Sequence, residues 1–397
     1  MSTSAERIRT YSGPAILSYG FRPLFLSASL WSAVAMVVWI AMLTGCLALP
    51  TAFDPIAWHV HELLYGYLPA VVAGFLLTAV PNWTGRLPVT GMPLLVLVLS
   101  WLAGRVAVLF SLQLGPIVAA VVDLSFLALL SLVIGREVIS GRNWRNLKVL
   151  ILVALFFGGN VLFHAESTGG EAASSGYGAR IGIAVAVFLI MLIGGRIVPS
   201  FTRNWLARRR PGRLPAPFNR FDLASMVIAG VALVLWIAAP DRTGTGILCL
   251  AAGGLHAWRL ARWAGYRTSA EPLVLILHVG YAFVPLGFLA VGWATLSPTT
   301  VPASAAIHAW TTGAIGVMTL AVMTRASLGH VGKPLHATWG IGLVYLCVIA
   351  AAISRIASSL GLAPDALLHL AATAWIAAFA GFAMLFGPLL VRPRQSH

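Results

Sequence analysis

Ten histidines are spread through a chain of 397 residues, of which only 9% are charged. Two of them open its most informative stretch, Trp58 to Arg86. His59 and His61, with Glu62 directly after them, precede about 20 almost wholly apolar residues, enough for a helix to cross a bilayer. Ionisable side chains at such places are costly and mark function, and histidine is the commonest side-chain ligand of metals, haem iron and copper included. Residues two apart on a helix of 3.6 residues per turn point about 200° apart. His59 and His61 are therefore expected to serve different centres, or only one of them to serve any. Beneath His59 runs the stripe Gly66, Ala70, Gly74, which suits either a closely packed helix or a flat macrocycle. Beneath His61 lies Tyr65. Glu62 is either the outer partner of a histidine N–H or a carboxylate favoured by the helix dipole. Together Glu62 and Tyr65 form a candidate proton-delivering pair.

The elements that must position these residues are membrane spans. Hydrophobic residues make up 59% of the chain, and a soluble domain would carry roughly 25% charged residues. Apolar runs at about Pro23–Leu49, Trp58–Arg86, Gly91–Phe110, Leu114–Ile139, Leu147–Ala165, Tyr177–Pro199, Phe221–Ala239, Gly244–Trp263, Pro272–Leu296, Pro302–Thr324, Ala337–Ile356 and Ala363–Val391 give about twelve spans. The expected class is an all-α polytopic membrane protein. It comprises a cytoplasmic segment at 1–22, a single transmembrane domain at 23–391 and a cytoplasmic tail at 392–397. The first run is too long for a signal-peptide core and stays as a span.

The net charge of +15 does not point to nucleic acid. Arginines recur at every second loop: Arg7, Arg9 and Arg22 at the start, Arg136 to Lys148, Arg203 to Arg220 (with Arg210), Arg259 to Arg267, then Arg325 and Lys333. The alternate loops hold Asp54, Glu166 with Glu171, and Asp241 with Arg242. By the positive-inside rule both termini are cytoplasmic. Val80-Pro81-Asn82-Trp83-Thr84, Val198-Pro199-Ser200-Phe201-Thr202 and Ala321-Val322-Met323-Thr324-Arg325 close spans two, six and ten, about 120 residues apart. They suggest a four-span internal repeat.

On this topology His59, His61, His164 and His308 gather in one outer layer, as a metal or haem site requires. Asn160 lies one turn before His164 on the same face. His256 and His278 lie deeper and leave room for a second, inner site. His330 and His336 fall in a loop, His369 within a span and His397 at the terminus. Arg105 and Asp123 fall on the adjacent hairpin spans three and four, either as a pair holding that hairpin together or with Arg105, like Arg180, reserved for a haem propionate. The cysteines Cys46, Cys249 and Cys347 stand singly, which indicates neither a zinc site nor a disulfide framework. No CxxCH motif is present for covalent haem, and no Gly-rich phosphate loop, nucleophile elbow or protease motif appears.

Three stretches carry a family resemblance. WHVHELLYGYLPAVVAGFLLTAVPNWTG, GGRIVPSFT at Gly194–Thr202 and HAWTTGAIGVMTLAVMTRASLGHVGKPL at His308–Leu335 are similar to the NnrS family. The family's histidine positions match His59, His61, His164, His278, His308 and His330. The resemblance implies a multi-pass protein of the bacterial inner membrane that binds haem b and copper. It further implies a role in denitrification or nitrosative stress, with nitric oxide bound, detoxified or reduced. Reduction would be the work of an oxidoreductase like a nitric oxide reductase, fed by an electron donor the sequence does not name. The architecture is also similar to that of haem–copper oxidases, although Phe221–Ala239 holds no histidine. Two other readings remain. One is nitric oxide binding or sensing without turnover. The other is transport of copper or a small solute, for which Pro69, Gly74, Pro285 and Gly287 would break helices at the midplane.

Overall fold

A computed structural model describes residues 11–84, 88–170, 172–209 and 211–393. Arg7, Arg9, Arg86, Glu171, Arg210 and His397 lie outside the described residues, as do the side chains of Asn82, Trp83 and Thr84. Among the described residues the regular structure is all helix, without a strand. In hydrocarbon every backbone N–H and C=O must be satisfied within the protein, and a helix does this within each segment. The long helices are α1 Phe21–Leu43, α2 Pro55–Pro81, α3 Met92–Leu109, α4 Pro116–Ser140, α5 Leu147–Thr168, α6 Tyr177–Leu206, α7 Arg220–Ala238, α8 Thr243–Ala261, α9 Pro272–Leu296, α10 Ala303–Val331, α11 Trp339–Ser359 and α12 Pro364–Val391. Of the described helices, 11 are long and apolar enough to cross a membrane. The exception in this series is α8, which has the length but carries two threonines, four glycines, His256 and Arg259.

Local chemistry sets the starts. Asp54 caps α2 by accepting the N–H groups of Ile56 at 2.9 Å and Ala57 at 3.0 Å, with Pro55 at the first helical position. Asn219 and Asp222 form a capping box at α7. Glu271 caps α9 ahead of Pro272. The outward faces expose residues such as Ile117, Val121 and Leu132 on α4 and Met384 on α12. Such continuous apolar surface would be a liability in water and is the natural boundary with lipid.

The chain divides into two compact units. The first takes the described residues of Met1–Gly182, Ala326–Lys333 and Phe379–His397. Within it Arg22 of α1 donates to the carbonyls of Leu390 at 3.0 Å and Arg392 at 2.7 Å, a cation on the open end of α12. Ser29 donates to the Phe379 carbonyl. α3 and α4 cross closely: a Cβ on Gly104 would stand 2.9 Å from Asp123 Oδ1 and 3.0 Å from its Cα. The second unit takes Ile183–Arg325 and Pro334–Ala378. There the polar residues of α8 are buried against partners. His256 Nδ1 lies 2.9 Å from the Tyr281 hydroxyl, and Arg259 donates to Asp222 at 3.0 Å and to Tyr281 at 2.9 Å.

Three spans are not regular α-helices. α2, α6 and α10 each contain a π-helical stretch, at Glu62–Tyr67, Ile190–Gly194 and Ala309–Gly316. These are the spans that carry the repeated motifs, Val80–Thr84, Val198–Thr202 and Ala321–Arg325. Such stretches widen the turn by a residue, shift the register of everything beyond, and concentrate at functional sites. In α2 and α10 the stretch begins directly after a histidine, His61 and His308.

Candidate metal centre

The first unit brings four helices to one buried point. His61 is the last α-helical residue before the π stretch of α2, and Glu62 is its first. Asp123 comes from the third turn of α4, and Asn160 and His164 from one face of α5, four residues apart. Arg105 enters from α3. His61 Nε2 lies 3.3 Å and His164 Nε2 3.0 Å from Asp123 Oδ2. Ligand atoms of the three residues lie within 4.8 Å of one another, and all three residues are buried. That spacing and donor set are compatible with one metal ion shared by all three residues.

Around this trio the polar groups are held in turn. Arg105 donates to both Glu62 oxygens at 2.7 Å and to Asp123 Oδ1. Trp31 Nε1 donates to Glu62 at 2.7 Å, and Asn160 Nδ2 to Asp123 Oδ2 at 2.8 Å. Glu62 Oε1 sits 3.0 Å from His61 Nδ1, and Asn160 Oδ1 sits 3.2 Å from His61 Nε2. Phe53 stacks on His61 with centroids 5.1 Å apart, and Phe163 lies 5.4 Å from it. These rings close the cluster against water.

His61 has an unresolved demand. A neutral imidazole has one N–H and one lone pair, yet both of its nitrogens face oxygen acceptors: Glu62 on one side, Asp123 and Asn160 on the other. One N–H satisfies one side and leaves a lone pair against oxygen on the other. Either a second proton on His61, which lets both ring nitrogens donate to carboxylates, or a metal cation placed among His61 Nε2, His164 Nε2 and Asp123 Oδ2 removes the conflict. With the metal, Glu62–His61 becomes the carboxylate–histidine pair that orients a metal ligand through its other nitrogen.

The other expected residues go elsewhere. His59 stacks on Trp39 of α1 at 3.9 Å, away from the trio. The stripe of Gly66, Ala70 and Gly74 is not a continuous slot, because counting by 3.6 does not carry across a π stretch. Gly66 abuts Arg105, Glu62 and Trp31, and Gly74 abuts Phe25 and Leu24. Side chains fill that side, which does not fit a macrocycle. The Tyr65 hydroxyl donates to the Gly178 carbonyl at 2.6 Å and so ties α2 to α6. Arg180 bonds the Gly176 carbonyl and covers the Tyr177 ring. Arg105 meets Asp123 as the hairpin pairing expects, and Glu62 as well.

In the second unit His278 Nε2 lies 2.7 Å from the Thr202 hydroxyl, and both nitrogens of His256 have partners. His308 stands differently. Its Nδ1 lies 2.6 Å from the Ser304 carbonyl, which fixes the proton there and leaves Nε2 as a lone pair on a half-buried ring. That is how protein frameworks orient a histidine for an iron or other metal. His330, expected in a loop, is in the last turn of α10 against Tyr19 and Phe21. His336 bonds the buried Glu271 at 2.9 Å. Sequence reasoning missed Asp123 as a partner of histidines. The available signal was a carboxylate inside an apolar span, which pairs with Arg105 and has a second oxygen left for the histidines.

Fold and site together define a multi-pass, all-α membrane protein with a buried histidine–carboxylate cluster. The family model described as NnrS protein matches residues 15–394, nearly the whole chain. The chain belongs to the NnrS family, which ties it to the response to nitric oxide. No curated protein and no solved structure matches it.

Proposed function

We propose that this protein is a metalloprotein of the bacterial inner membrane that binds nitric oxide and removes it by detoxification or reduction. The observation that carries the reading is the His61–Asp123–His164 trio, with oxygen on both sides of one imidazole. His61, His164 and Asp123 would hold a metal ion such as copper. Glu62 orients the His61 ring, Arg105 fixes both carboxylates, and Phe53 and Phe163 exclude water. A redox metal in such a site supplies an open coordination position and one electron at a time. Nitric oxide is small and apolar, so it can arrive through lipid and needs no polar substrate pocket. Haem b, where bound, fits His308 better than His59, because the Ser304 carbonyl orients His308 while side chains pack the groove beneath His59. The arginine-rich loops support cytoplasmic termini.

Transport is the weaker reading. α9 runs unbroken through Pro285, and the irregularity of α2 is a π turn rather than a break at Pro69. The decisive experiment purifies the protein from haem- and metal-replete cells and measures haem and metal per chain, with spectra before and after nitric oxide. One non-haem metal lost in Asp123→Asn, a Soret band lost in His308→Ala, and a nitric-oxide-dependent spectral change are expected. A protein free of both metal and haem, with spectra indifferent to nitric oxide, would overturn the proposal.

A further inference from the structure

The arginine-rich end of the second unit carries more cations than its carboxylates can answer. Those carboxylates are Asp222, Asp241, Glu271 and Asp365. Asp241 follows α7 and Asp365 opens α12, so both lie at the opposite end of the spans. Asp222 is taken by Arg259 at 3.0 Å and Arg262 at 3.1 Å. Glu271 accepts from the N–H groups of Leu273 and Ala337, meets His336 Nδ1 at 2.9 Å, and acts on Arg325 only through space. Arg209 and Arg325 make no ion pair and no side-chain hydrogen bond among the described residues. Each instead lies over an aromatic ring of α6. Arg325, from α10, stands 4.0 Å from the centre of Phe201, and Arg209, in the turn after α6, stands 4.9 Å from that of Trp205. Phe201 and Trp205 are four residues apart and share a face, which Ile197 continues one turn deeper. All three are half-buried, and Arg209 is exposed.

We infer that this end of α6 is a binding site for an anionic phospholipid of the adjoining leaflet. Arg325 and Arg209 hold its phosphate, and an acyl chain lies along Ile197, Phe201 and Trp205. A guanidinium held on the face of a ring spends no N–H on that contact. Its planar fork therefore stays available for two phosphate oxygens at once. Aromatic side chains gather where a span meets the headgroups, and basic side chains just beyond a span attract anionic lipid. A free phosphate ion would meet the same arginines but leave the apolar strip beneath them uncovered, whereas a phospholipid covers both. The basic loop between α4 and α5 offers a contrast. There Arg136 pairs with Glu137 at 2.7 Å, and the exposed Arg142 and Arg145 lie over no ring among the described residues.

The test titrates the delipidated full-length protein in mild detergent with phosphatidylglycerol, and separately with phosphatidylcholine of the same chains. Native mass spectrometry reads the affinity for the first lipid bound. Phosphatidylglycerol should bind the wild type more than about tenfold tighter than phosphatidylcholine, and the double variant Arg209→Gln/Arg325→Gln should lose that advantage. Arg142→Gln/Arg145→Gln removes the same charge from the other loop and should leave the affinity unchanged. Should the double variant fail to fold, Arg209→Gln alone, at an exposed residue beyond the helix, should weaken phosphatidylglycerol by about fivefold. Equal affinity for the two lipids, or equal loss in both double variants, overturns the site. Inorganic phosphate that displaces the lipid at comparable concentration assigns the arginines to a free anion instead. A wild-type dimer that the double variant abolishes without lipid assigns the face to a second copy of the chain, and either result overturns the proposal.

Discussion

The two histidines at the head of α2 have unlike surroundings although one residue separates them. His59 lies on the indole of Trp39, and His61 lies among two carboxylates, an amide and a second imidazole. Alanine at each should therefore give unequal results. His61→Ala should lose the non-haem metal. His59→Ala should keep it and cost about 1–2 kcal/mol. Metal per chain by mass spectrometry and thermal unfolding at matched expression check this; equal metal loss in both would mean the trio is not the binding site. The separation was legible in the sequence because an i, i+2 pair cannot share a helix face. The destination of His61 was not. Asp123 and His164 lie 62 and 103 residues beyond it, and only the packing of α2 against α4 and α5 shows that they meet. Nor could the single letter E at position 62 say that this carboxylate would be shared by an arginine, an indole and an imidazole.

Among the elements, the π stretches change what a sequence pattern means. Span positions were readable from apolar run lengths, and α9 begins and ends at the expected residues. Face assignments beyond His61 were not readable, since the extra residue in the turn rotates Gly66 away from the line drawn from His59. Gly66 instead leaves room for the Arg105 guanidinium beside Glu62. A Cβ there would stand 2.8 Å from Glu62 Oε2 and 3.1 Å from Trp31 Nε1 and would run into Arg105. Gly66→Ala should cost about 1–3 kcal/mol by overpacking and lower metal content with it. Gly313→Ala, in the π stretch of α10, presses on Phe283 and should destabilise the protein without changing the metal of the first unit. Thermal melts and metal content of the two variants, side by side, decide the matter. Wild-type values for Gly66→Ala would show that the close approach at Arg105 does not support the site.

For the whole molecule, the alternation of arginine-rich loops predicts the proposed orientation. Alkaline phosphatase fused after Arg392 should be inactive, and the same reporter within residues 169–175 should be active; the reverse pattern would remove the cytoplasmic termini and the depth ordering built on them. Class was legible here because hydrocarbon allows so few solutions, and 11 of the spans expected are long and apolar enough to cross, α8 being the exception. The division into two units was not, because the first unit draws on both ends of the chain. That composition has a consequence for synthesis. A ribosome delivers His61, Asp123 and His164 early, and the helices that carry them can meet while the rest is still being made. Arg22 meets the carbonyls of Leu390 and Arg392 only when those residues have emerged. The tie between α1 and the end of α12 is therefore made after the helices that carry the trio have been delivered.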